Sequence, residues 1–166
     1  MTAARAPAMR STAHHFTLAF LTGASSPPEL LSRFFSAHDP RIIEHGPPWA
    51  AERLPFVGRE FRGRNGKGKS GETCDDYFDL LGENLALEVQ DSELPAANGL
   101  AVDADVGVVL VRCRAWLAHA HTERRWEERF VMVLSEFDER GATFGLLEIW
   151  ADNLSAWEAA TERKSP

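Results

Sequence analysis

Two neighbouring stretches in the second half of the chain decide the fold: Val106-Gly-Val-Val-Leu-Val-Arg-Cys-Arg-Ala-Trp-Leu117 and Trp126-Glu-Glu-Arg-Phe-Val-Met-Val-Leu-Ser-Glu-Phe137. The first is rich in valine, whose β-branched side chain favours extended backbone. The second alternates apolar and polar residues with a period of two, which is typical of a strand with one buried face. We therefore predict an antiparallel hairpin of two long strands.

The faces of this hairpin follow from its turn. A two-residue turn at Thr122-Glu123 would pair His121 with Arg124. One face is then nearly all apolar and carries Val109, Val111, Cys113, Ala115, Leu117, His119, Trp126, Glu128, Phe130, Met132 and Leu134. The other face carries Arg112, Arg114, Trp116, Glu127, Arg129, Val131 and Val133. We predict that the first face meets the core and that the second meets solvent or a partner subunit.

Helical patterns dominate the first half of the chain. Ser26-Pro-Pro predicts a helix start, because serine caps the first turn and proline is tolerated there. Thr73 is predicted to cap a further helix that buries Tyr77. Residues 143–151 predict a last strand. Helices on one face of a curved, mainly antiparallel sheet are the expected architecture, an α+β fold.

A chain of 166 residues is long enough for one substantial core. We expect a single domain at residues 13–160. Residues 1–12 are predicted to be a disordered tail, followed by a short helix that Gly23 ends, and residues 161–166 are predicted to be a C-terminal tail.

Charge and cysteine content restrict the partners. The 25 acidic residues against 18 basic ones give a net charge of −7, which argues against nucleic-acid binding. No apolar run is long enough for a membrane span. The two cysteines, Cys74 and Cys113, cannot build a disulfide framework, so we expect a reducing, cytoplasmic location. His119 and His121 share a strand face without a third metal ligand, and we expect neither metal nor organic cofactor.

Residues 63–70, Gly-Arg-Asn-Gly-Lys-Gly-Lys-Ser, match the phosphate-binding pattern G-x-x-x-x-G-K-[ST]. A phosphate-binding loop of that type follows a buried strand and leads directly into a helix. Here the preceding stretch is a poor buried strand, and Gly71 interrupts the path to the helix. We interpret the segment as a flexible basic loop.

Several short motifs resemble those of the NTF2-like superfamily, and within it the SnoaL-like branch and small SnoaL-like proteins of fungi. They are Ser26-Pro-Pro-Glu-Leu-Leu-Ser-Arg-Phe-Phe35, Ile43-Glu-His-Gly-Pro47, Asp75-Asp-Tyr-Phe-Asp-Leu-Leu81 and Glu148-Ile-Trp-Ala-Asp152. The resemblance implies a cone: a strongly bent sheet wrapped around helices, with an internal apolar pocket. It also implies a homodimer through the outer face of the sheet.

The resemblance, combined with strand alternation, nominates site residues. His45 follows the first short strand, while Glu148 shares a predicted face of the last strand with Leu146 and Trp150. Glu128 lies in the apolar row of the hairpin. We predict His45, Glu148 and Glu128 as catalytic residues, because histidine and desolvated carboxyl groups move protons near neutral pH. The predicted substrate-binding residues are Trp49, Trp126, Phe130, Trp150, Leu146 and Tyr77.

The resulting hypothesis is a cofactor-independent isomerase, dehydratase or cyclase that acts by proton transfer on a small apolar cyclic, polyketide-like or terpenoid-like metabolite. The alternative is a carrier protein that uses the same pocket without chemistry. An interaction module that works through its outer sheet face is a third possibility.

Overall fold

The structure is a computed structural model that describes residues 2–66 and 68–161. Its helices are α1 (Thr2–Thr22), α2 (Pro27–Phe34), α3 (Cys74–Asn84) and α4 (Asn153–Ala159). Its strands are β1 (Arg41–His45), β2 (Glu60–Arg62), β3 (Leu85–Glu93), β4 (Ala101–Asp103), β5 (Val108–His119), β6 (Arg125–Ser135) and β7 (Leu146–Trp150). Short 3₁₀ turns lie at Pro48–Glu52 and Ala97–Gly99.

Within the described residues, the seven strands form one curved, unclosed sheet in the order β2-β1-β7-β6-β5-β3, with β4 also paired to β5. Neighbouring strands are antiparallel except β1 and β7, which run parallel. The core lies between the sheet and helices α1, α2 and α3. The predicted α+β class and the cone architecture are therefore confirmed.

The faces of the β5–β6 hairpin are as predicted, although the turn is not. Leu117 pairs with Trp126, and residues 120–124 form a five-residue connection rather than a two-residue turn. The connection is held by the Thr122 side chain, which donates to the Ala159 carbonyl oxygen of α4 at 2.6 Å. The register differs from the predicted one by two positions. A shift of two leaves every side chain on its original face.

Helix α1 corrects the prediction of a disordered tail at residues 1–12. The helix begins at Thr2, and Met9 is fully buried. The Arg5 guanidinium donates to the carbonyl oxygens of Ala104 at 3.2 Å and Phe137 at 3.0 Å. These long-range contacts hold a segment whose own sequence shows little helical periodicity. The helix ends as predicted before Gly23, whose φ of 63° is left-handed.

The ends of the predicted domain are less fully described. Thr161 is the last residue that the structure describes, so the rest of the predicted C-terminal tail lies outside it. Among the described helices, none combines the length and the apolar character needed to cross a bilayer.

Replacing Met9 with alanine tests whether α1 is docked. Met9→Ala should lower the free energy of unfolding by about 2–5 kcal/mol, because a buried methionine leaves a cavity when truncated. Urea denaturation measures this change. His15→Ala, at an exposed position on the same helix, is the control and should change it by less than about 0.5 kcal/mol. Equal, small effects of both substitutions would show that this part of α1 is not packed.

Candidate functional site

A cavity of about 350 Å³ lies between the helices and the inner face of the sheet. Most of its lining is apolar, and no lysine, arginine or histidine is among its described lining residues. The lining residues are Phe20, Leu21, Gly23, Ser25, Pro27, Leu30, Glu44, Phe56, Tyr77, Phe78, Leu81, Gly82, Leu85, Leu87, Leu117, Glu128, Phe130, Ile149, Ala151, Asn153 and Ala156. The carboxyl groups of Glu44 and Glu128 therefore lie in an otherwise largely apolar cavity.

Glu44 reaches the cavity from β1. Ile42 and Glu44 point inward along this strand, and only 7% of Glu44 is exposed. The Tyr77 hydroxyl of α3 donates a hydrogen bond to Glu44 Oε2 at 2.8 Å. Burial raises the pKa of Glu44 to about 8; the tyrosine bond opposes that rise, and the nearby Glu128 charge adds to it. At neutral pH Glu44 is therefore mainly protonated.

Glu128 reaches the same cavity from β6. The indole Nε1–H of Trp126 donates to its Oε2 at 2.6 Å, and the backbone N–H of Asp152 donates to its Oε1 at 2.7 Å. Burial raises the pKa of Glu128 to about 7, although both hydrogen bonds favour the ionised form. Near neutral pH this group is divided between carboxylate and acid. Glu44 and Glu128 together supply a proton donor and a proton acceptor in one apolar cavity.

Three of the predicted site residues line this cavity: Glu128, Tyr77 and Phe130. A fourth, Trp126, contributes indirectly, because its indole holds the Glu128 carboxyl group. The apolar row of the hairpin was therefore placed correctly by its alternation.

The other predicted residues lie elsewhere. His45, Glu148 and Trp150 form a cluster on the outer face of the sheet, where His45 Nε2 lies 2.9 Å from Glu148 Oε1 and the imidazole stacks on the indole at 3.8 Å. The remaining two, Leu146 and Trp49, are also absent from the cavity lining, and Trp49 is half exposed beside Trp157. The predicted placement of these five residues in the pocket is wrong.

The error on β7 has a local cause. Phe144 is buried, and the prediction placed Leu146, Glu148 and Trp150 on its face by simple alternation. The backbone is irregular at Gly145, whose N–H lies 3.1 Å from the carbonyl oxygens of both Ser135 and Glu136. The alternation restarts after this point, so Leu147 and Ile149 point inward instead.

The sequence-based interpretation missed Glu44. Ile42 and Ile43 are both apolar, so alternation over this short strand does not say which face is buried. Alternation places Glu44 on the side of Ile42 and His45 on the side of Ile43, so the strand alone gives no signal for choosing between the two. Asn153 was also missed; it lines the cavity and donates from Nδ2 to the His45 carbonyl oxygen at 2.7 Å.

Two further motifs have structural roles. The His119 ring accepts the Thr122 N–H at 3.2 Å, and no group of three metal-ligating side chains occurs in the described part of the chain. Within residues 63–70, of which Lys67 lies outside the described set, Arg64 pairs with Asp75 at the start of α3. Thr73 and Asp76 cap that helix, so the chain's own oxygens satisfy its first N–H groups.

Solved structures of other proteins share this architecture. An NTF2-like protein from Burkholderia xenovorans LB400 is 17% identical, with a TM-score of 0.63 over 93% of this chain and 96% of that one. The chain has the NTF2-like fold. A proposed SnoaL-like polyketide cyclase from Jannaschia sp. CCS1 is 12% identical, with a TM-score of 0.61 over 98% of this chain and 96% of that one. The pinacolase BvnE from Penicillium brevicompactum is 16% identical, with a TM-score of 0.52 over 93% of this chain and 92% of that one.

No protein-family model and no curated protein matches the sequence. The NTF2-like resemblance of the sequence is thus confirmed by the fold. The predicted homodimer and the predicted cytoplasmic location stay predictions. The outer face of the sheet, through which the dimer is predicted to form, carries the Arg114–Glu127 ion pair and the exposed Trp150 side chain.

The raised pKa values predict a specific dependence of stability on pH. Glu44 and Glu128 have an ordinary pKa of 4.5 and raised values of about 8 and about 7 in the fold. Between these limits the folded chain holds more protons than the unfolded chain. The contribution of the two groups to the free energy of unfolding is therefore complete below pH 4.5 and is lost as pH rises to about 8. For each group, the free energy of unfolding falls by up to about 1.4 kcal/mol per pH unit in this range.

Glu44→Gln should flatten this decline relative to wild type when the free energy of unfolding is measured by urea denaturation from pH 5 to pH 9. Glu83→Gln, which removes an exposed carboxyl group from α3, should keep the wild-type slope. Parallel wild-type and Glu44→Gln curves would contradict the raised pKa of Glu44.

Proposed function

We propose that this chain is an enzyme of the isomerase or lyase type, which transfers protons within an uncharged, largely apolar metabolite held in the cavity. The observation that carries the proposal is the joint presence of Glu44 and Glu128, two carboxyl groups with raised pKa values, in one apolar chamber. Paired titratable groups in such surroundings are typical of acid–base sites.

The environments of the two groups suggest their roles. Glu128, in its ionised form, would remove a proton from the substrate, since two N–H donors keep its carboxylate oriented. Glu44, in its protonated form, would donate a proton to a substrate oxygen while Tyr77 holds its other oxygen. Each forward step leaves Glu128 protonated and Glu44 ionised. Transfer back to the substrate or exchange with solvent restores both groups.

The lining restricts the substrate class. A volume of about 350 Å³ lies at the lower end of the range of small-molecule sites. Acidic groups without a basic partner repel a carboxylate ligand, especially once Glu128 is ionised. An uncharged ring compound that bears a carbonyl or hydroxyl oxygen fits this chemistry best. The names of the cyclase and the pinacolase that share the fold are consistent with such substrates.

Solvent exchange into a simple ketone tests the proton-transfer step. In D₂O the protein should accelerate deuterium incorporation beside the carbonyl of 2-tetralone, measured by mass spectrometry. Glu128→Gln should lower the rate about 10²–10⁴-fold and Glu44→Gln should also lower it, because these changes remove the base and the acid.

The matched controls are His45→Ala and Glu148→Gln on the outer face, which should retain the wild-type rate. If these controls lost deuterium exchange while Glu128→Gln retained it, the catalytic groups would lie on the outer face and not in the cavity. Equal rates in wild type and Glu128→Gln would show that the carboxyl group of Glu128 does not act as the base.

A carrier protein is the second candidate, and one observation favours it. Glu44 and both oxygens of Glu128 already accept hydrogen bonds from the protein, as structural groups do. In that case 2-tetralone would bind without any accelerated exchange. The same experiment therefore separates the two candidates.

A matched pair of ligands tests the predicted preference for uncharged compounds. At pH 8, 2-acetylnaphthalene should bind at least about tenfold more tightly than 2-naphthoate, which has a similar shape and carries a negative charge. Isothermal titration measures both affinities. Glu128→Gln should narrow the difference, because it removes the negative charge that the naphthoate meets. Equal affinities for both ligands would contradict this electrostatic selection.

A further inference from the structure

The mouth of the cavity can be located from the exposure of its lining. Of all the lining residues, the exposed ones are Gly23, Pro27 and Gly82, whereas Glu44 and Glu128 are buried. Gly23 and Pro27 flank the turn between α1 and α2, and Gly82 lies in the last turn of α3. We take these two helical ends as the mouth of the cavity, because the exposed lining residues lie there, whereas the two carboxyl groups lie in the buried part of the lining.

Gly82 is an unusual residue at its position. Glycine inside a helix is destabilising relative to alanine, because it loses more backbone freedom on folding. Gly82 lies within α3, and its φ is not left-handed. A Cβ atom added there would meet no heavy atom of the described residues within 4 Å, apart from its chain neighbours and the backbone of its own helix. Neither backbone conformation nor close packing requires glycine.

Gly23 differs from Gly82 in this respect. Its φ of 63° ends α1 in the left-handed conformation, so the turn itself favours glycine. Of the two glycines at the mouth, Gly82 is the one whose missing side chain serves no structural purpose in the described residues. The missing side chain of Gly82 leaves open space beside the mouth.

We propose that Gly82 is a specificity-determining residue, which keeps the mouth of the cavity wide enough for a bulky apolar ligand to enter. A side chain at this position would project from the last turn of α3 into the opening. It would leave the chamber and its carboxyl groups intact. The effect concerns access, so it holds whether the cavity performs chemistry or only stores its ligand.

The test is the rate at which Nile red, an uncharged and bulky fluorescent dye, binds to a series of variants. Association and dissociation are followed by stopped-flow fluorescence for wild type, Gly82→Ala, Gly82→Leu and Gly82→Trp. The association rate constant should fall with side-chain size, by at least about tenfold for Gly82→Trp. The dissociation rate constant should fall in parallel, because a narrowed opening slows passage in both directions.

Gly82→Ala separates access from stability. Because alanine is the better helix former, this variant should melt roughly 2–4 °C above wild type while it binds the dye almost as fast. Gly82→Leu provides a milder obstruction if the tryptophan variant fails to fold.

Two control variants test whether the dye enters through the mouth of the cavity and does not bind elsewhere on the surface. Glu83→Trp adds the same indole to the neighbouring exposed position, which does not line the cavity. Trp150→Ala removes the exposed indole of the outer face. Both should keep the wild-type rates.

The proposal would be overturned if Gly82→Trp bound Nile red with wild-type rate constants, or if Glu83→Trp slowed association as much as Gly82→Trp does. It would also be overturned if Gly82→Trp bound the dye more weakly without slower association, or if the wild-type protein did not bind the dye.

Discussion

The parallel pairing of β1 with β7 is the constraint on which the site depends. It places Ile43 opposite Glu148 and Glu44 opposite Ile149, which fixes the face that each residue of β1 presents. Glu44 consequently enters the apolar cavity, while its neighbour His45 lies outside against Trp150. A slip of one residue in this pairing would exchange an acid for an imidazole inside the cavity. The chemistry of the chamber is thus decided by strand register as much as by composition.

Burial and hydrogen bonding act in opposite directions on the two cavity acids. Desolvation disfavours the charged forms of Glu44 and Glu128, whereas donors from Tyr77, Trp126 and Asp152 favour them. Desolvation is the larger effect for both groups, and their pKa values therefore lie near neutrality. Each donor comes from an element other than β1: α3 supports Glu44, while β6 and the residue that caps α4 support Glu128. Two of the three donors, Tyr77 and Asp152, therefore come from segments distant in the sequence, whereas Trp126 lies on the same strand as Glu128.

Long, regular patterns could be interpreted from the sequence, and short or interrupted ones could not. The β5–β6 hairpin extends over more than ten residues on each side, so its alternation identified Glu128 and Phe130 even with the wrong turn. Strand β1 has only five residues with two adjacent isoleucines, and β7 follows an irregularity at Gly145. Both strands depend on tertiary pairing for their orientation. The first half of helix α1 was missed for a related reason, because carbonyl groups far along the chain hold its Arg5 side chain.

Those distant contacts of α1 also affect the order of folding. Arg5 bonds to carbonyl groups 99 and 132 residues further along the chain, so docking its end of the helix closes very long loops. Loop-closure entropy makes such contacts slow to form. During synthesis α1 leaves the ribosome well before its acceptors beside β4 and after β6, because they lie about a hundred or more residues further along the chain. A segment that is made before its contacts exist is therefore among the last to dock.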